Sequence, residues 1–400
     1  MALYAPTSIG GVYSTALWLL YSALLVGLLL ALIISQRDGL ANRWLCADAM
    51  LMIAIILMAT TISPFPDYRW GGLLGYLLLA LLFTANLRNM KAGSSLRALL
   101  GVVNCLNIAL GFAIIVGISP VRVFFIQHYS QFYPELVPYM MEVGKPVLTF
   151  GTHSLAAFFF YLLFWINFET YKVTPKRTSL FFACCDIGLG FALLSVSGLV
   201  LMSIAALQIF IYAIRNRPKT AITVSMVILT SVLLTAFWFS GEVEESVADA
   251  AAIENILGSP TNGLMGRFSD LGTLRSTMAY LRARPFSPVG VGYRSDLFFG
   301  DSGVIEYYLR GSLPLVLVIY GGLFAFLKTN LISRRDAWHI FIVFFLFEMG
   351  FTSLNDFHIL YFLPVLVVYL NDLRCSTAGG HENRNMRPRI PANFLLPGTC

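Results

Sequence analysis

Six arginines, Arg267, Arg275, Arg282, Arg284, Arg294 and Arg310, sit in one polar stretch that runs from Gly241 to about Pro314 and also holds nine acidic residues. A guanidinium fork bonds two oxygens of a phosphate at once, so grouped arginines suit a phosphate ligand or the charge that develops on a leaving pyrophosphate. Arg267, Arg275 and Arg294 bracket a helix leading into Pro288-Val289-Gly290-Val291-Gly292-Tyr293-Arg294, and they are the catalytic cation candidates. Arg310, and Lys145 ahead of Pro146 and Gly151-Thr152-His153-Ser154, are further cations for substrate binding. A base that takes a hydroxyl proton has four candidates: Asp301, Glu306, His153 and His358. Gly290 and Gly292 let backbone approach a ligand closely.

Each of these residues also has a plainer reading. Arginines on a solvated face pair weakly with nearby carboxylates, and Arg282 and Arg284 fit that best. Asp301 suits a helix N-cap. Glu306 and Arg310 stand four apart, as a pair that braces a helix. The two histidines fall at helix ends, where an interfacial hydrogen bond satisfies them, and a turn with positive φ accounts for the glycines equally well.

The elements that must position these groups lie in a membrane. Of 400 residues, 58% are hydrophobic and 12% charged, against roughly 25% charged in an average soluble domain. Runs near 13–35, 45–64, 70–87, 98–119, 149–168, 179–195, 197–214, 220–240, 312–331, 337–353 and 357–371 approach the ~20 apolar residues that a spanning helix needs. The expected fold is therefore an all-α polytopic membrane protein of about eleven transmembrane helices with one long extracytoplasmic loop. Ser195-Val196-Ser197-Gly198 supplies the turn that divides 179–214, which is too long for one crossing. With that division, 18 of the 27 basic residues fall on one face, which the positive-inside rule makes cytoplasmic. The N-terminus and both longer loops, 120–151 and 241–314, are then outside, and the tail 372–400 is cytoplasmic and disordered in composition.

The long loop carries six basic and nine acidic residues, so the net charge of +6 comes from topogenic arginines and does not imply nucleic-acid binding. The first helix lacks the basic leader and the cleavage site of a signal peptide, and reads as a retained span. Within the loop, 243–257 and 270–284 read as helices, and Asp301 as the cap of a third that runs through Val304, Ile305, Tyr308 and Leu309 towards a break at Gly311 and Pro314. The segment 120–151, dense in aromatic residues, suits a helix at the membrane interface. Cys46, Cys105, Cys184 and Cys185 lie in apolar runs and Cys375 and Cys400 in the tail, so no disulfide is expected. No spacing of metal ligands is present, and neither metal nor cofactor is expected. Asp186 stands inside a span, where a carboxylate is costly and is usually paired or functional, as on an ion path.

Pro-x-Gly-x-Gly after a polar helix, followed by Asp301-Ser302-Gly303 at the head of the next span and Gly311 beyond it, resembles the bacterial O-antigen and exopolysaccharide polymerases (the Wzy family). The related O-antigen ligases share the layout of a shorter outer loop followed by a long one late in the chain. Ligases carry a His-Asn pair where this chain has Asp301-Ser302, and that departure favours a polymerase. In these families the shorter loop carries an arginine ahead of its span; here that place holds Lys145. The resemblance implies one transmembrane domain over 1–371 in the bacterial inner membrane. It implies a metal-independent glycosyltransferase that joins undecaprenyl-pyrophosphate-linked oligosaccharide repeats into O-antigen, capsule or exopolysaccharide, alongside a chain-length regulator and a flippase. A secondary transporter is the rival of another class, and it predicts repeats and midplane charges, where this sequence has no clear repeat and Asp186 stands nearly alone. A lipid-linked oligosaccharide flippase would share the substrate without needing the long loop. A transferase fed by lipid-phosphate sugars would be expected to carry acidic residues in its first outer loop, which here has only Asp67.

Overall fold

A computed structural model describes residues 4, 6–35, 43–63, 71–129, 136–216, 275–284, 289–292, 302–354 and 356–385, which are mostly helical. In chain order a two-stranded hairpin, β1 Ser8–Ile9 and β2 Val12–Tyr13, precedes α1 Thr15–Ser35, α2 Arg43–Ile62, α3 Gly71–Thr84 and α4 Ser94–Val116. Then come α5 Ser119–Tyr129, α6 Leu136–Glu142, α7 His153–Val173, α8 Arg177–Ala192 and α9 Val196–Asn216. The last four are α10 Arg275–Ala283, α11 Gly303–Asn330, α12 Arg334–Glu348 and α13 Phe357–Asn385. Ten of the eleven apolar runs each contain a helix; the run 220–240 and the expected helix 243–257 lie outside the described residues. Among the described residues, six helices are long and apolar enough to cross a membrane, within α1, α2, α4, α9, α11 and α13. Their exposed faces are themselves apolar, as Leu19, Leu24, Leu28 and Ile34 of α1 illustrate, which is what contact with hydrocarbon requires.

Helix α7 is the central post. Every residue from Leu155 to Glu169 is buried, the signature of a helix surrounded on all sides. It packs against α8, α9 and α13, with Phe158 stacked on Phe347 at 4.2 Å between ring centroids and Phe159 edge-on to Phe362 at 4.8 Å. Thr152 caps its first turn, its hydroxyl accepting from the Leu155 N–H at 3.4 Å. The division of 179–214 is found, one turn earlier than the serines suggest: α8 stops at Ala192, Leu194 takes a left-handed φ of 48°, and the Ser195 hydroxyl caps α9 by accepting from the Gly198 N–H at 3.0 Å.

One end of this bundle carries α5, α6 and the starts of α7 and α13. The aromatic segment does form a helix, α5, and the terminal hairpin lies on it through Thr7 N–H to His128 O and Gly11 N–H to Gln127 O, both 2.8 Å. Tyr129 secures the contact by donating to the Tyr4 carbonyl at 2.6 Å; burial pushes its phenol up to about 12, so it remains a donor at neutral pH. Arg122 caps the end of α4, donating from Nη2 to Ile114 O at 2.8 Å and from Nη1 to Glu142 O at 3.4 Å. That joins α4, α5 and α6 with one side chain.

At the opposite end, Arg374 of α13 grips Asp336 with both prongs, 2.8 and 2.7 Å, and reaches Glu169 of α7 at 2.5 Å. Lys172 takes the other oxygen of Glu169 at 2.5 Å while lying 4.1 Å over the Phe168 ring. Asp372 accepts from Arg97 of α4. Helix α13 therefore continues past residue 371, where the last span was expected to end, to Asn385: the polar residues of its continuation are the clamp.

Candidate functional site at a broken helix

Helix α11 is broken at Gly311 (φ −147°, ψ 18°) and Ser312 (φ 59°, ψ −164°), as the glycine and Pro314 foretold. Pro314 has no N–H and its ring crowds the carbonyl four residues before it, which is that of Arg310. The break frees the carbonyls of Leu309 and Arg310, and the glycine motif fills the vacated positions. Val291 N–H donates to Leu309 O at 2.6 Å and Gly292 N–H to Arg310 O at 3.0 Å. The two glycines are there for room. A Cβ on Gly290 would collide with the backbone of Leu309, Arg310 and Gly311, and one on Gly292 with Thr60 of α2; Gly292 also has φ +55°. Gly292 has the positive φ of the turn reading, and the close contact that Gly290 makes is with the protein's own backbone.

Arg310 completes the joint. Its guanidinium donates to Gly292 O at 2.6 Å, and its Nε stands 4.0 Å from Glu306 Oε1. Both side chains are nearly buried, at 6% and 11% exposure. The pair is thus a brace that reaches beyond its own helix to hold the motif. The Glu306 carboxylate also faces Tyr76 of α3 and Thr352 of the α12–α13 connection. The N-cap of α11 is Ser302, whose hydroxyl accepts from Ile305 N–H at 3.4 Å, which corrects the expectation that Asp301 caps this helix: the cap falls one residue later, and Asp301 lies outside the described residues.

Glu348, at the end of α12, was not among the sequence candidates. It is fully buried and accepts five hydrogen bonds: Oε1 from Tyr307 Oη at 3.0 Å, Ser353 N at 2.7 Å, Ser353 Oγ at 3.0 Å and Leu354 N at 2.7 Å, and Oε2 from Tyr320 Oη at 2.9 Å. Gly303 lies so near that a Cβ there would come within 2.7 Å of Oε2. Tyr307 in turn stands edge-on to Tyr76 at 5.9 Å and to Tyr320 at 5.8 Å. Carboxylates inside apolar runs mark paired or functional positions; that rule singled out Asp186 and applies equally to Glu348.

The connection that Glu348 holds leads straight to Asp356 and His358. Asp356 Oδ1 accepts the His358 N–H at 2.9 Å and lies 3.2 Å from its Nδ1, while the imidazole packs on Phe150 at 5.2 Å. His358 is wholly buried, and the hydrogen bond at its Nδ1 is with Asp356 of the same helix end. Its Nε2 has no hydrogen-bond partner among the described residues. Through Phe150 this couple meets the segment that carries Lys145 and His153. Lys145 is half-buried, with its N–H on Met140 O at 2.8 Å, and His153 opens α7.

Gly290, Gly292, Glu306 and Arg310 are thus one contact group, and His358 lies apart from it beyond the α12–α13 connection, touching Phe150 of the segment between Lys145 and His153. Arg275 is the first residue of α10, which agrees with the helix expected over 270–284. Arg267 and Arg294 lie outside the described residues. Among the described residues no three His, Cys, Asp or Glu side chains are grouped to hold a metal. Compared with family models, with curated proteins and with solved structures, the chain matches none.

Proposed function

We propose that this chain is a membrane glycan polymerase that joins undecaprenyl-pyrophosphate-linked oligosaccharide repeats, with eleven spans, the glycine-motif end facing outward and the tail in the cytoplasm. In the reaction an acceptor sugar hydroxyl attacks the anomeric carbon of the donor glycan. The bond to pyrophosphate breaks, the carrier leaves with the electron pair, and the hydroxyl proton passes to a base. Arg267, Arg275 and Arg294 stabilise the leaving pyrophosphate.

The observation that carries this reading is the docking of Gly290–Gly292 on the broken helix, which ties the arginine-rich stretch to the rim of the bundle between α2 and α11. Arg294 follows Gly292 by two residues in the sequence. Arg310 is spent on the motif, which leaves the other arginines to meet phosphate. Among the base candidates, His358 has an orienting carboxylate in Asp356.

The test is gel analysis of lipid-linked glycans from cells lacking the protein, complemented with wild type or with Arg267→Ala, Arg275→Ala or Arg294→Ala. Single repeats are expected to accumulate in the null strain and in at least one variant whose protein level matches wild type. Long carrier-linked polymer that fails to reach its final acceptor would identify a ligase instead. Unchanged glycans would remove the glycan reading altogether.

A further inference from the structure

The hairpin that lies on α5 is built inside out. Gly10 and Gly11 take left-handed φ of 58° and 82° and make its two-residue turn, which sets Ile9 directly opposite Val12. Paired residues share a face and neighbours along a strand alternate, so Ile9 and Val12 project together while Ser8 projects the other way. The polar side is the hidden one. Thr7 is 3% exposed and Ser8 1%, with the Ser8 hydroxyl donating to Gln127 O at 3.1 Å, whereas Ile9 is 67% exposed and Val12 71%.

A hairpin surrounded by water favours the reverse, because water solvates hydroxyls and drives branched apolar side chains inward. The surface beside the tip has the same polarity. Only Ser14 separates the hairpin from α1, whose exposed face is apolar, and α5 starts just beyond Val116, the exposed last residue of α4. On α5 itself Val123 and Phe124 are exposed, while the Arg122 guanidinium turns back to Ile114 O. The tip thus stands where two helices long and apolar enough to cross a membrane have their ends.

We infer that Ile9 and Val12 insert into the lipid bilayer, at the boundary between headgroups and acyl chains of the leaflet in which α1 begins and α4 ends, so that the hairpin anchors α5 to the membrane surface. The backbone limits the depth. Open sheet edges are not tolerated within the hydrocarbon, so the two side chains enter it and the strands stay at the headgroup level. This inference does not depend on the glycan reading.

The test places the photoreactive amino acid benzoylphenylalanine at position 9 or 12 of the full chain, in vesicles of phosphatidylethanolamine and phosphatidylglycerol, and identifies the cross-linked products by mass spectrometry. Phospholipid adducts are expected from both positions, at a yield comparable to that of the same probe in place of Leu24 on the exposed face of α1. Adducts present at Leu24 and absent at both hairpin positions overturn the inference and put the tip in water. Cross-links to a second copy of this chain overturn it in favour of an interface between copies. Amide exchange in the same vesicles gives a second reading. Ile9→Asp and Val12→Asp set a charge against acyl chains and are expected to lift the hairpin from α5, speeding exchange of the Thr7 and Gly11 N–H groups about tenfold over Ile9→Asn and Val12→Asn, which are as poor in strands but uncharged. Equal exchange in the aspartate and asparagine variants overturns the inference, since a charge on a water-facing side chain costs little.

Discussion

Glu348 organises the candidate site because one carboxylate offers its two oxygens to donors from two elements: Tyr307 and Tyr320 of α11, and the Ser353 and Leu354 amides of the connection. Replacing it by alanine leaves buried donors unpaired, each costing about 1–3 kcal/mol. Glu348→Ala is accordingly expected to destabilise the protein by about 3 kcal/mol or more, read as thermal unfolding in detergent. Glu348→Gln should cost about 1 kcal/mol, since its oxygen still serves the two amides and the Tyr320 hydroxyl can rotate to accept from its NH2. Equal losses in the two variants would contradict this account. Glu348 is legible in the sequence as a charge in an apolar run, but its partners are not, because tyrosines on a different helix carry no sign of where they point. For the same reason the sequence offered Glu306 and Arg310 as a local pair and could not show Arg310 reaching back to Gly292.

Helix α11 shows how a defect in one element makes a binding edge for another. Pro314 and Gly311 were readable as a break; that the freed carbonyls would be taken by Val291 and Gly292 was not, since those residues lie about twenty positions upstream and pair only after folding. Pro314→Ala returns an N–H opposite Arg310 O and lets the helix compete with the motif for that acceptor. Gly292→Ala attacks the joint from the other side, through left-handed backbone and the collision with Thr60. Both variants are expected to raise amide hydrogen exchange at Val291 and Gly292 by tenfold or more, a loss of about 1.4 kcal/mol in local stability. Exchange unchanged in both would mean that the motif is held by something other than the break. The hairpin of Ser8 to Tyr13 was equally unreadable: strands of two residues carry no periodicity, and their register comes from the edge of α5.

Across the whole molecule, the run 149–168 was readable as a helix, while its central position and the clamp that ties its far end to α12 and α13 were not. Arg374 was assigned to a disordered tail by its place after the last apolar residue, yet Asp336 and Glu169, 0% and 1% exposed in their side chains, depend on it. Removing one partner of a buried ion pair costs about 3–5 kcal/mol, so Arg374→Ala is expected to lower the melting temperature strongly. Arg374→Lys should recover only part of the loss, because an ammonium cannot grip both Asp336 oxygens; full recovery would show that charge alone matters. The clamp also sets an order of events in time. Glu169 and Asp336 leave the ribosome well before Arg374, and until α13 is made each of them sits among apolar side chains without its arginine. Closure of the bundle is therefore a late step of biosynthesis, and a translation product cut short before Arg374 leaves Asp336 without its arginine and Glu169 with Lys172 alone, exposed to the cell's membrane quality-control proteases.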